Sequence, residues 1–319
     1  MHPFLRFVFP LAVASLVACG SEAPETNTSP DSGEDALTDT SADASADTAE
    51  AAVADGGGYE ATYVPVGAGL TVGKSRFSLR ISRNGSPATG LSSKIAISPL
   101  MAMEKMSHGN PVPPDAVKES ETPGLYDVTT FFTMASVDSS GKPAGQWTLN
   151  VSIGAEPKIG LPVTVSPATG TDATHAILRN AADTFTAMGS PKMRSWVMFR
   201  DRLEKDGTGQ RFGVFLATVQ EGMLVWPPVT AGLKLLDASG KVQLTVEALS
   251  LSASVDGATW APMTCDANAR CAATLSSVPA TGAKILVKLQ VNGKDYTTDG
   301  AASDPAKSNG FATFAVTPS

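Results

Sequence analysis

The sequence predicts an all-β protein of two β-sandwich domains behind a long N-terminal approach segment, and three observations carry that expectation. Apolar residues alternate with polar ones in short runs: Phe77, Leu79 and Ile81; Trp147, Leu149, Val151 and Ile153; Ile285, Val287, Leu289 and Val291. Successive strand side chains point to opposite faces, so each run defines one buried face. The runs are bounded by turn chemistry, including Asn84-Gly85 and Asn292-Gly293, a dipeptide suited to two-residue hairpins. Six or seven such runs fall within residues 58–167, a rhythm that fits an immunoglobulin-like sandwich.

Taken in order, the chain opens on an export signal. Arg6 precedes an apolar core, Phe7–Val17, too short to span a bilayer. It ends in Leu16-Val17-Ala18-Cys19, with a polar tail directly after it. This resembles the lipobox of bacterial lipoproteins, which implies that residues 1–19 are the signal and that Cys19 carries the lipid. Several acyl chains on one Cys hold a protein at a membrane far better than one. Gly20 rather than Asp follows Cys19; by the same resemblance this favours the outer membrane, facing the periplasm or the cell surface. Residues 20–57 read as a disordered acidic tether. Ten of the acidic residues lie between 20 and 55, with no Lys, Arg or aromatic side chain among them. Such a segment lacks the apolar surface to offset chain entropy, and its like charges extend it.

Residues 58–167 form the first expected sandwich. Phe77–Ile81 leads to the Asn84-Gly85 turn, Ile95 and Ile97 make a strand, and a Pro-rich bend holds Pro111, Pro113 and Pro114. Gly124 opens a strand on which Tyr126, Val128, Thr130, Phe132 and Met134 share a face. Residues 167–172 read as a linker, and Thr174–Ala187 as a short helix. The second sandwich-like domain, 172–319, begins with Trp196–Phe199 and Phe212–Val219, both apolar on two faces, around the turn Asp206-Gly207-Thr208-Gly209. Leu249, Leu251, Ala253 and Val255 alternate, and Phe314 and Val316 close the chain. With Cys19 assigned to the lipid, Cys265 and Cys271 remain, and an even pair in an exported protein reads as a disulfide. No internal repeat stands out; Ser98-Pro-Leu-Met101 and Ser190-Pro-Lys-Met193 are alike over four residues only.

The body of the chain after the tether is nearly neutral, so it carries no electrostatic footprint for nucleic acid. The motifs H-E-x-x-H, G-x-S-x-G and G-x-x-x-x-G-K-[ST] are absent, and no enzyme is expected. The constellation with a chemical rationale is Met101-Ala-Met103-Glu-Lys-Met106-Ser-His108, which gathers three of ten methionines and one of three histidines. Cu(I) is a soft ion suited to thioether and imidazole donors. Outside the cytoplasm thiolates are lost to disulfides, and a thioether needs no deprotonation to bind. A bend at Glu104-Lys105 would bring Met101 and Met103 to the same pocket as Met106 and His108. Met134 is a further candidate ligand, and Trp147 a candidate shield. The competing reading is that flexible methionines plug the open end of a sandwich.

Phe77-Ser-Leu-Arg-Ile81, Pro99, the Met-rich segment with His108-Gly109, Gly124-Leu-Tyr126, Phe132-Thr-Met134 and Gly145-Gln-Trp147-Thr-Leu-Asn-Val151 follow one another in residues 65–153. On these motifs the segment resembles the YtkA-like or FixH-like family of small exported immunoglobulin-like domains. Ser98 stands where the family often has Met before the Pro. Relatives are linked to copper handling, so the resemblance implies a Cu(I) site in the first domain. The function expected is thus a lipid-anchored, non-enzymatic envelope protein that binds Cu(I) through the Met/His loop. The alternative is a module presenting two sandwiches to an envelope protein or glycan without metal. A hydrolase would need an acid and a nucleophile beside His108 or His175.

Overall fold

The computed structural model describes residues 54–56, 58–169, 174–187, 190–220, 224–279, 282–300 and 310–317. The expected signal, Cys19 and the tether up to residue 53 lie outside them. Among the described residues there is no helix, and the protein is all-β, as expected. Strand pairing begins within the last tether residues: Ala54–Gly56 pairs with the segment from Tyr59, around Gly58 at φ 89°.

The principal strands of the N-terminal half are β1 (Tyr59–Pro65), β2 (Gly73–Arg83), β3 (Ile95–Ala102), β4 (Ser107–Gly109), β5 (Val117–Glu119), β6 (Leu125–Phe132), β7 (Gln146–Ile153) and β8 (Ile159–Val163). One sheet runs β1-β2-β6-β5 and the other β8-β7-β3-β4. The alternating residues meet between them: Phe77, Leu79, Ile81, Tyr126, Val128 and Phe132 from the first sheet pack on Ile95, Ile97, Met101, Trp147, Leu149 and Val151 from the second. This is a sandwich whose core follows the period-two pattern. Asn84 and Gly85 take φ 52° and 77° at the hairpin tip, the left-handed conformation that their side chains tolerate.

The C-terminal half contains β9 (His175–Leu178), β10 (Thr184–Ala187), β11 (Ser190–Met193), β12 (Trp196–Asp206), β13 (Gly209–Thr218), β14 (Lys234–Leu236), β15 (Val242–Thr245), β16 (Leu249–Ser254), β17 (Thr264–Cys265), β18 (Arg270–Leu275), β19 (Ala283–Val291), β20 (Lys294–Tyr296) and β21 (Ala312–Val316). The sheet β9-β12-β13-β18-β17 faces a second sheet built on β16, β19, β20 and β21. Trp196, Met198, Phe212 and Val214 meet Leu251, Ala253, Ile285, Val287 and Phe314 in their shared core.

The helix expected over Thr174–Ala187 is not formed. His175–Leu178 instead pairs with Trp196–Phe199, and Thr184–Ala187 with Ser190–Met193. Neighbouring strands offer this segment a ladder, and tertiary pairing overrides weak local preference. Between the two strands, the Asn180 side chain accepts from Ala182 N, fixing a turn.

The second apolar face of β12 and β13 is explained by a third cluster. Val197, Phe199, Phe215 and Ala217 point away from their own core, and Phe131 of β6 packs among them. Phe131 stacks on Phe215 with centroids 4.4 Å apart and lies 5.1 Å from Phe199. Charges flank this seam. Lys74 Nζ reaches Asp201 Oδ1 at 2.8 Å, Arg270 Nε lies 3.5 Å from Asp201 Oδ2, and Arg270 Nη1 bonds Asp115.

Three turns share one hydrogen-bond scheme. In Asp138–Lys142, Asp237–Lys241 and Asp266–Arg270, the first Asp accepts through Oδ1 from the N–H groups two and four residues on. Its own N–H donates to the fifth carbonyl. The fourth residue is left-handed: Gly141 at φ 80°, Gly240 at 81° and Ala269 at 60°. The third turn carries the disulfide at its neck, Cys265 directly opposite Cys271 with sulfurs 2.05 Å apart.

Phe131→Ala should remove about 3–5 kcal/mol, the usual cost of emptying an aromatic site. Equilibrium denaturation of wild type and variant checks it; a loss below about 1 kcal/mol would mean that the seam does not bear on stability.

Candidate functional site

β3 and β4 form a hairpin whose two-residue tip is Glu104-Lys105, closed by Met103 N donating to Met106 O at 2.9 Å. Met101 stands opposite His108 on one side and opposite Trp147 on the other. Directly opposed residues project to the same face, and so do residues two apart. Met101, Met103, Met106 and His108 therefore share one face of one hairpin, in a row with Trp147.

Burial is graded along that face. Met101 is fully buried in the N-terminal core beside Trp147. Gly145 makes the room: a Cβ there would sit 2.8 Å from Met101 Cε and 2.5 Å from Ala102 O. Met103 is half-buried against the same core, and Met106 is half-buried at the tip. Met134 follows β6 in the opposite sheet and packs, half-buried, on that core.

His108 is half-buried. Its ring meets Trp147 edge-on at 6.5 Å and lies against Trp226 at 5.3 Å. Nδ1 is buried without a hydrogen-bond partner, and so is the Trp147 indole Nε1. Burial pushes the imidazole pKa below its ordinary value, with the Gly109 backbone opposing. The ring is therefore neutral at neutral pH, with one nitrogen lone pair free of a proton. Among the described residues no three His, Cys, Asp or Glu side chains gather as a metal-holding group. A metal bound at this hairpin would thus draw on thioethers together with a single imidazole.

Residues of the C-terminal half complete the surroundings, and nothing in the sequence connected them to His108. Trp226 supplies the ring just described. Leu224 crosses so close to β4 that a Cβ at Gly109 would fall 1.9 Å from Leu224 O. Glycine is what permits this approach. The segment is held by Gln220 N donating to Val225 O at 3.0 Å, and Leu224 and Val225 stay about half exposed. The local signal for it was a Trp before two prolines, Trp226-Pro227-Pro228.

His175 sits elsewhere, on β9. It contacts the Thr174 hydroxyl at 3.2 Å and the Phe199 ring at 5.6 Å, and burial lowers its pKa as well.

No protein-family model matches the chain, and no characterised protein matches its sequence.

Gly109→Ala should displace the 224–226 segment, because the added carbon meets backbone rather than a movable side chain; increased solvent quenching of Trp226 fluorescence would report it. Acid should weaken the fold through His108. Its folded pKa lies below the unfolded value of about 6.5, so the stability from keeping it neutral is complete above that pH and is lost as pH falls below it. His175 acts with the same sign. His108→Gln should therefore remove part of the fall in denaturation midpoint between pH 7.5 and 5.5; an unchanged pH profile would contradict the assignment.

Proposed function

We propose that this chain is a lipid-anchored, non-enzymatic bacterial envelope protein that binds Cu(I) through Met101, Met103, Met106 and His108. The observation that carries the reading is the common hairpin face of these four residues together with the buried, unpartnered Nδ1 of His108. A buried polar atom without a partner is costly, and in the tautomer protonated on Nε2 a ligand that takes the Nδ1 lone pair removes the cost. The donor set suits a soft monovalent ion: thioethers bind without losing a proton, and the imidazole is already neutral. Met103 and Met106, half-exposed at the tip, offer the way in from solvent. Met134, from the opposite sheet, is a further donor on the same core. When bound, the ion would take the lone pair of the His108 imidazole, with Met103 and Met106 at the tip as sulfur donors. The lipid on Cys19 and the acidic tether would hold the site at the membrane while extending its reach.

One observation favours a second reading, an interaction module without metal. Met101 is sealed in the core, and Trp226 and Leu224 lie against His108 and Gly109. In that reading the methionines are core filler beneath a joint, and the envelope partner is a protein or glycan.

Titration of Cu(I) into the chain from Cys19 onward, against a competing chelator, separates the two. Cu(I) binding requires His108→Ala and Met106→Ala each to weaken affinity at least about tenfold, roughly 1.4 kcal/mol. Met101→Leu should also weaken it while leaving the denaturation midpoint nearly unchanged, since Leu and Met are close in volume. Equal affinity in wild type and variants leaves the interaction module.

A further inference from the structure

We propose that Cys265–Cys271 is an exchangeable disulfide that latches the seam between the two halves, with an exported dithiol as the partner chemistry. The bond lies at the neck of the β17–β18 hairpin. β17 is an edge strand held to β18 by two residue pairs, Thr264 with Ala272 and Cys265 with Cys271. β18 is anchored independently, along six pairs with β13. Opening the disulfide would therefore free β17 and the first residues of the turn, while Ala269, bonded to Leu216 N, and β18 stay with β13.

That turn holds the seam. Asp266 orients Arg270 through its backbone N–H. The Arg270 guanidinium bonds Asp115 of the N-terminal half and lies beside Asp201, which in turn holds Lys74 of the N-terminal half. Ala269, next to it, is fully buried in the cluster that contains Phe131. Arg270 and Ala269 are also tied to β13, through the Phe215 pair and Leu216 N donating to Ala269 O, and the closed neck adds the Asp266 cap on Arg270 N that orients the side of the turn facing the seam.

The two cysteines differ in exposure. Cys271 is completely buried, whereas Cys265 is half-exposed and lines an open cavity of about 520 Å3 with Thr230, Leu249 and Met263. Exchange needs a thiolate to reach one sulfur along a clear path. The incoming thiolate attacks Cys265 Sγ and forms a mixed disulfide; the Cys265–Cys271 bond breaks, and its electron pair leaves on Cys271 Sγ, which takes a proton. The second thiol of the dithiol, deprotonated, then attacks the partner's own sulfur in the mixed disulfide and releases Cys265 as thiolate, which is protonated in turn. The dithiol is oxidised by two electrons, and the hairpin is reduced by two. The closed loop is short, so the cross-link restricts the unfolded chain less than a long-range disulfide would. Reduction therefore acts on the hairpin and the seam before it acts on the fold.

The test treats the oxidised chain, from Cys19 onward, with dithiothreitol in native buffer. Free thiols are trapped by alkylation, and amide hydrogen exchange is followed by mass spectrometry. Both thiols should appear without denaturant. Exchange should rise at least tenfold in 264–270 and 112–118, while 283–291 keeps its protection. Oxidised Arg270→Gln should reproduce the rise in 112–118 and leave the neck closed. Reduction only under unfolding denaturant, reduction without change in 112–118, or loss of protection in 283–291 would each overturn the proposal.

Discussion

Phe131 is the residue on which the arrangement of the two halves depends. It sits on a strand whose alternate residues, Val128, Thr130 and Phe132, fill the N-terminal core, yet it faces the other way and is completely buried. A large aromatic side chain on the outer face of a sheet needs a cover, and Phe199 and Phe215 supply it. The cover in turn explains why β12 and β13 are apolar on both faces. One face closes the C-terminal core, and the other receives Phe131. Hydrophobic contact of this kind has no direction of its own, so the register of the seam is set by what surrounds it.

The surrounding charges supply that register. Asp201 is almost buried, and burial alone would raise its pKa; Lys74, Arg270 and Arg202 more than offset this and hold the carboxyl below its usual range. The cations come from both halves, while Arg270 also reaches back to Asp115. A buried carboxylate deprived of such partners is strongly destabilising. The crossed arrangement therefore penalises any sliding of one half over the other. His108 lies at another part of the same boundary, between Trp147 of its own half and Trp226 of the other. The proposed Cu(I) site and the seam are thus neighbours, and a change in one bears on the packing of the other.

Much of the fold was legible because strands write themselves locally. Tyr126, Val128, Thr130 and Phe132 alternate in sequence and are buried together, and Asn292-Gly293 turns as its left-handed residues demand. The common face of the Met/His hairpin was legible for the same reason, since its residues lie within eight positions. What alternation does not carry is the second partner of a face. By alternation alone Phe131 is the outward member of its pair, and Trp226 lies over a hundred residues from His108. The segment 174–187 failed likewise: its pairing with 190–199 belongs to the folded neighbourhood. The shared Asp turn was present as Asp-x-Ser-Gly-Lys at 138 and 237, but it is divergent at 266.

That divergence has a meaning of its own. At 141 and 240 the left-handed position is Gly, and those turns are open to solvent. At 269 it is Ala, at an energetic disadvantage of about 1–2 kcal/mol in that conformation. Its methyl has no solvent exposure and touches the aromatic cluster. Glycine would relax the backbone but leave a void where the methyl now rests. Two of the hairpins are therefore solvent-facing loop closures that carry the Asp and the Gly their geometry calls for, while the third has become a docking tooth whose shape is constrained by the surface it bites.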